Sequence, residues 1–158
     1  MSFQGVAPIF FEGVSAVTAT PSVELGTRRM VDGEEYVYAY AIATVSQSVG
    51  CTISGVSGYS VIATGLISGA YCLGFAKHAE IPAGSYGWLL QRGFVNSVVN
   101  GMASTAFVAT DGVMLAADGK VANAAAAVGG HLLGRVVTAA VSGGTGASNT
   151  GKIFVSVV

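Results

Sequence analysis

The chain has 158 residues, of which 52% are apolar and only 9% charged, and its net charge is −1. A typical soluble domain carries about 25% charged residues, so much of this surface suits burial against other protein or lipid. The near-neutral balance excludes the basic field that draws in nucleic acid, and the length suits one domain able to bury a core without staples.

Met1–Glu24 reads as an extended N-terminal arm (residues 1–24), and residues 25–158 as a single β-domain. Phe3 and the Ile9-Phe10-Phe11 cluster are the arm's apolar anchors. Burying each yields about 1.5–3 kcal/mol, so the arm is expected to seat them on its own domain or on a neighbour. Ser15–Thr20 alternates enough to pair as a short strand. The N-terminus shows no basic segment followed by an apolar core, so synthesis in the cytoplasm with reduced thiols is expected.

Gly26–Gly33 reads as loop. It contains the adjacent basic pair Arg28-Arg29, with Glu24, Asp32, Glu34 and Glu35 around it. Local ion pairing in solvent is one reading; contact with a partner carboxylate, which suits the guanidinium fork, is the other. Glu35–Thr44 then places Tyr36, Tyr38 and Tyr40 at period two, which puts three rings on one face of a strand. That face serves either a core or a stacking platform for sugar or bases.

Ala39–Ala76 carries no formal charge. Serines and glycines interrupt it every few residues, unlike a membrane-spanning helix, and the strands look short for a membrane barrel. No membrane association is expected. Cys51 and Cys72 in this region lack metal-ligand spacing. They read as buried small hydrophobes, with a bridge between neighbouring strands left open.

Tyr71–Val95 holds the single Trp, Trp88, and one of the two His. It reads as strand, Pro/Gly turn around Ile81–Gly84, then strand. On extended backbone His78 and Glu80 share a polar face opposite Lys77 and Ala79. Further on, Asp111-Gly112 and Asp118-Gly119 are hairpin signals, since both central residues of a type I′ turn need positive φ. Ala122–Ala127 is one helical turn or a loop. His131–Val141 and Ile153–Val158 are strands around a Gly/Ser/Thr loop. Many short strands with regular turns and little 3.6-residue periodicity give an all-β fold, a small β-barrel or β-sandwich.

Candidate chemistry is sparse. Gly146–Lys152 matches a phosphate-loop pattern, but Ile153 stands where Ser or Thr would hold magnesium and a strand follows where a helix should open. A flexible loop with Lys152 in solvent is expected. His78 and His131 lack metal-ligating neighbours. No serine sits in a nucleophile-elbow setting, and the acids fall mostly in turns. No catalytic residue, cofactor or metal is expected, and the chain does not read as an enzyme.

Leu73-Gly74-Phe75-Ala76, followed by Ile81-Pro82-Ala83-Gly84-Ser85-Tyr86-Gly87-Trp88-Leu89-Leu90-Gln91-Arg92-Gly93, resembles the signature of phage capsid cement, or head decoration, proteins. Ala116–Val121 with its Asp-Gly turn, and Leu133-Gly134-Arg135-Val136 before a Gly/Ser loop and an apolar strand, resemble that family's later part. The resemblance spans about Tyr36 to Val158. It implies a small β-barrel-like domain, often a homotrimer, bound to the major capsid protein on the outer surface of the virion head, with no catalytic residues. Phe3, Ile9, Phe10, Phe11, Arg28, Arg29, Trp88 and Arg92 are then the expected capsid or subunit contacts. The alternative is a head-fibre or tail-associated module that binds carbohydrate through exposed tyrosines.

Overall fold

The computed structural model describes residues 12–54, 58–63, 72–99, 112–115, 119–123, 134–138 and 150–157. They form an all-β fold with no α-helix among them. The strands in chain order are β1 (Val17–Thr18), β2 (Arg28–Val31), β3 (Glu34–Ala41), β4 (Gly50–Ile53), β5 (Ser60–Ile62), β6 (Cys72–Phe75), β7 (Tyr86–Val99), β8 (Gly112–Leu115), β9 (Val121–Asn123), β10 (Gly134–Thr138) and β11 (Thr150–Ser156).

Five of these strands close into a small barrel. β3 pairs with β5, β5 with β4, β4 with β6, β6 with β7, and β7 returns to β3. The β3–β5 step is parallel and the others are antiparallel. Val37, Ala39, Ala41, Cys51, Val61, Leu73 and Leu89, drawn from all five strands, join one buried cluster, which fills the lumen. Their small volumes fit: the fewer the strands, the narrower the barrel interior.

The opposite face of β3 is buried too. Tyr36 and Tyr38 belong to a second cluster with Trp88, Leu90, Val95 and Val98 of β7, together with residues of β8, β9 and β11. β7 is long enough, at 14 residues, to serve both bodies. Its first half closes the barrel, and its second half pairs with β11, which leads on through β10 and β8 to β9. The tyrosine face therefore meets a core outside the lumen, and alternation along β3 produces two hydrophobic faces because both are covered.

The expected loop at Gly26–Gly33 is corrected. Arg28–Val31 is a strand in register with β3, from Arg28↔Val37 to Val31↔Glu34. The turn is Asp32-Gly33, with φ of 51° and 80°. Positive φ at both central residues suits the twist of a two-residue hairpin, and an Asp-Gly pair adopts it readily. β8 and β9 pair antiparallel, with Leu115 opposite Val121 and Gly119 at a φ of 68° between them, while Asp118 lies outside the described residues. Asp111 lies outside the described residues. Ala122 of the expected helical turn or loop is in β9, and residues 124–127 lie outside the described residues.

The strand, turn, strand order of Tyr71–Val95 holds, but the connection is longer than a tight turn. Residues 76–85 leave the barrel wall between β6 and β7, and Ile81 bridges to Val45 on the way. β6 and β7 are paired at Phe75↔Leu90. Part of the N-terminal segment folds back on its own barrel: β1 pairs with β7, and Val14, Val23 and Leu25 pack on the tyrosine-side core.

Candidate functional site

The densest polar cluster is built on Glu34 at the start of β3. Its carboxylate accepts from the Lys77 ammonium, from the Tyr36 hydroxyl at 2.6 Å and from the Phe94 amide at 2.9 Å. Gly93 makes the last contact feasible. Its φ is 144°, and a Cβ there would lie 2.7 Å from the Glu34 carboxylate oxygen. Glycine supplies both the backbone conformation and the space.

Tyr36 Oη also lies 2.8 Å from His78 Nε2. A carboxylate only accepts, so the Tyr36 proton goes to Glu34, and the Tyr36 oxygen must accept from His78 Nε2–H. The chain of donors thus runs from His78 through Tyr36 to Glu34, and the neutral imidazole carries its proton on Nε2. The His78 and Tyr36 rings stack, with centroids 5.6 Å apart.

Burial alone pushes the Glu34 carboxyl up, but the hydrogen bonds from Lys77, Tyr36 and Phe94 outweigh it and hold the group below its ordinary value of 4.5. Burial, aided by the Lys77 charge, lowers His78 from 6.5 against the opposing pull of Glu34. Burial and the bond to Glu34 raise the Tyr36 phenol. This cluster therefore stays in one protonation state at neutral pH and makes a poor proton-transfer site. The expected His78–Glu80 pair is replaced: residues 77–80 are not a strand, and Lys77 and His78 both turn toward β3.

Trp88 is 3% exposed. Its ring lies 5.0 Å from that of Tyr38, and the Arg29 guanidinium sits 6.0 Å above it. Tyr38 Oη is held by Thr18 Oγ1, Ser22 Oγ and the Ser22 amide, while Arg29 reaches the Glu12 carbonyl. Tyr38 and Arg29 thus tie residues 12–25 to the barrel, and Trp88 packs against both. Arg28 is exposed and pairs with Glu35 at 3.0 Å, and Arg92 is exposed. Phe3, Ile9, Phe10 and Phe11 lie outside the described residues.

The remaining candidates resolve simply. Cys51 and Cys72 are free, buried thiols; burial raises both, Cys72 to about 12. Thr150, Gly151 and Lys152 of the phosphate-loop pattern lie in β11, while residues 146–149 are outside the described residues. Lys152 is not free in solvent, since its ammonium lies 4.8 Å from the Phe94 ring centroid. Tyr36 and Tyr38 are buried, and Tyr40, Tyr59 and Tyr86 half-buried. Among the described residues, no group of three His, Cys, Asp or Glu is placed to hold a metal.

Sequence reasoning missed Glu34 as a centre of contacts, since its partners Lys77 and Phe94 are 43 and 60 residues away. The available signal was Asp32-Gly33, a hairpin turn that aims the start of β3.

No protein-family model matches the sequence, and no curated protein sequence matches it significantly. A similar solved structure is the head fiber gp8.5 N base in bacteriophage phi29, with a TM-score of 0.49 and 10% identity over 77% of this chain and 92% of that one. A likeness of that degree leaves the function to be argued from the chain's own residues.

Proposed function

We propose that this chain is a structural protein of a phage head, a cement protein that binds the outer surface of the expanded shell and stabilises it. The observation that carries the proposal is the run from Leu73 to Gly93. Its residues resemble the cement-protein signature, and in the fold they close the barrel. Leu73 and Leu89 fill the lumen, Trp88 anchors the outer core, and Gly93 admits Glu34.

Composition supports the same role. With 9% charged residues, the chain suits a life packed against copies of itself and a shell. The chemistry is mass action. A protein that binds only the expanded shell stabilises it by about 2.7 kcal/mol per site at a free concentration of a hundred times Kd. Bridging several shell subunits lets modest affinity per contact suffice. The proposed partners are the major capsid protein and further copies of this chain as a homotrimer, and the proposed role is non-enzymatic.

The carbohydrate-binding alternative needs exposed tyrosine rings, and the five that would serve are buried or half-buried. The test is co-sedimentation of the purified chain with expanded heads lacking it, together with their disruption temperature. Binding with a higher disruption temperature is expected; a chain that stays in the supernatant overturns the proposal.

A further inference from the structure

Beside the Glu34 cluster runs a groove of about 460 Å3 whose walls include Val14, Val31, Phe94 and Phe154. Its polar groups are engaged with one another. The Glu34 carboxylate takes three donors, and the Tyr36 oxygen joins Glu34 to His78. What stays open is apolar. Phe94 is 40% exposed, the only exposed Phe, Tyr or Trp among the described residues. Its ring meets that of Phe154 edge-on, with centroids 5.1 Å apart. A groove of this size with apolar walls suits apolar groups, and such an occupant needs no hydrogen bond from the satisfied floor.

The arm supplies groups of that kind. Residues 1–11 lie outside the described residues, carry no charged side chain and end in Ile9-Phe10-Phe11. The described chain starts beside the groove but not in it. Val14 is one of the walls and Glu12 is not. Glu12 is held elsewhere, by the Ser22 hydroxyl on its carboxylate and by Arg29 on its carbonyl. Bringing Phe11 and Phe10 back into the same groove needs a chain reversal directly before Glu12. Ile9–Glu12 holds none of the Gly, Pro, Asn, Asp or Ser residues that make turns, and β-branched and aromatic residues favour extended backbone. Extended, eleven residues reach about 36–40 Å from Glu12, far enough to cross to a neighbouring molecule.

We propose that the Ile9-Phe10-Phe11 segment of one copy seats in the groove between Val14, Val31, Phe94 and Phe154 of the next copy. The contact is head-to-tail, since each copy gives its arm at one place and receives its neighbour's at another. Heterologous contacts close into rings when the rotation allows, and the proposal rests on the cement-protein reading for the homotrimer that such a ring forms. Three side chains bury far less than the roughly 1,200–2,000 Å2 of a stable interface. Free copies therefore associate weakly, and the contact gains strength where a shell holds copies side by side.

The test needs no phage heads, so its failure is distinct from failure of that reading. The 15N-labelled full chain is followed by NMR on dilution from millimolar to micromolar concentration. At micromolar concentration it is also titrated with a peptide of residues 6–12, acetyl-Val-Ala-Pro-Ile-Phe-Phe-Glu-amide. Both series should move the backbone amides of Val31, Gly33, Gly93 and Phe94 in the same direction, and the peptide should saturate them. A peptide carrying Phe10→Ser and Phe11→Ser should bind about ten-fold more weakly or worse, the scale of one buried aromatic side chain. Phe94→Ala in the chain, at an exposed position that keeps its backbone amide, should cause a similar loss without altering the spectrum elsewhere. The full chain carrying Phe10→Ser and Phe11→Ser should lose the concentration dependence yet match the native groove amides at micromolar concentration. A difference there would place the arm in its own groove and overturn the proposal. Absence of saturable shifts with the native peptide, or full binding by Phe94→Ala, would overturn it as well.

Discussion

Glu34 shows how one carboxylate can tie three parts of a β-fold together. It joins the start of β3, the segment after β6 and the bulged stretch of β7 through Lys77, Tyr36 and the Phe94 amide. Its folded pKa is depressed, so its contribution to stability is present above 4.5 and lost as pH falls through the folded value. His78 is depressed as well, and the unfolded chain takes up that proton first. Its contribution is therefore full above 6.5 and declines as pH falls from there toward the folded value. Both slopes have the same sign. Thermal melts should show stability decreasing below about pH 6.5 and more steeply below about 4.5. His78→Ala should flatten the upper part of that decline and leave the lower part. An unchanged profile in the variant would remove His78 from the account.

At the scale of elements, the β2–β3 hairpin is set by two positive-φ positions, Asp32 and Gly33, and the bulged part of β7 by one, Gly93. At Gly93, a side chain meets both an unfavourable φ of 144° and the Glu34 carboxylate. Gly93→Ala should therefore cost about 1–3 kcal/mol in urea unfolding, the range for a strained backbone. It should also displace Glu34 from the Phe94 amide, which faster hydrogen exchange at Phe94 would reveal. Glu34→Ala in the Gly93→Ala background separates the causes. If most of the cost lies in the carboxylate clash, the second substitution adds less than it does alone.

The same scale shows where sequence reading succeeded. Period-two alternation identified β3 because its Tyr and Val/Ala rows are local facts of the chain. The apolar runs on either side of Gly119 were legible as paired strands for the same reason. β2 was missed because Arg28, Arg29 and the acids around them look like a solvated loop. The strand exists because Asp32-Gly33 supplies positive φ twice and β3 offers a partner. The candidate contacts divide by burial. Arg28 and Arg92 are exposed at the surface, whereas Trp88 is buried in the outer core and Arg29 ties Glu12 down beside it.

For the whole molecule, the question is what covers a chain so poor in charge. Residues 12–25 already cover the tyrosine side of the barrel, so the folded-back part of the arm serves the monomer. That separates two functions of the N-terminus. Deleting residues 1–11 removes Phe3, Ile9, Phe10 and Phe11 but keeps Glu12 and the packing of Val14, Val23 and Leu25. The truncated chain should keep its β-sheet circular dichroism and its melting temperature while losing affinity for expanded heads in co-sedimentation. Undiminished binding would show that those anchors do not reach the shell.

The sequence by itself determined the class of the fold, the positions of most strands and the lack of a recognisable catalytic motif. Those properties follow from side-chain alternation and turn chemistry, which act over a few residues. Only the tertiary structure decided that β3 closes on β7, that small residues face the lumen while tyrosines face a second core, and that Glu34 meets Lys77. These depend on pairings across tens of residues and on a one-residue bulge, and a bulge changes which way a side chain points without changing the local pattern that a sequence displays.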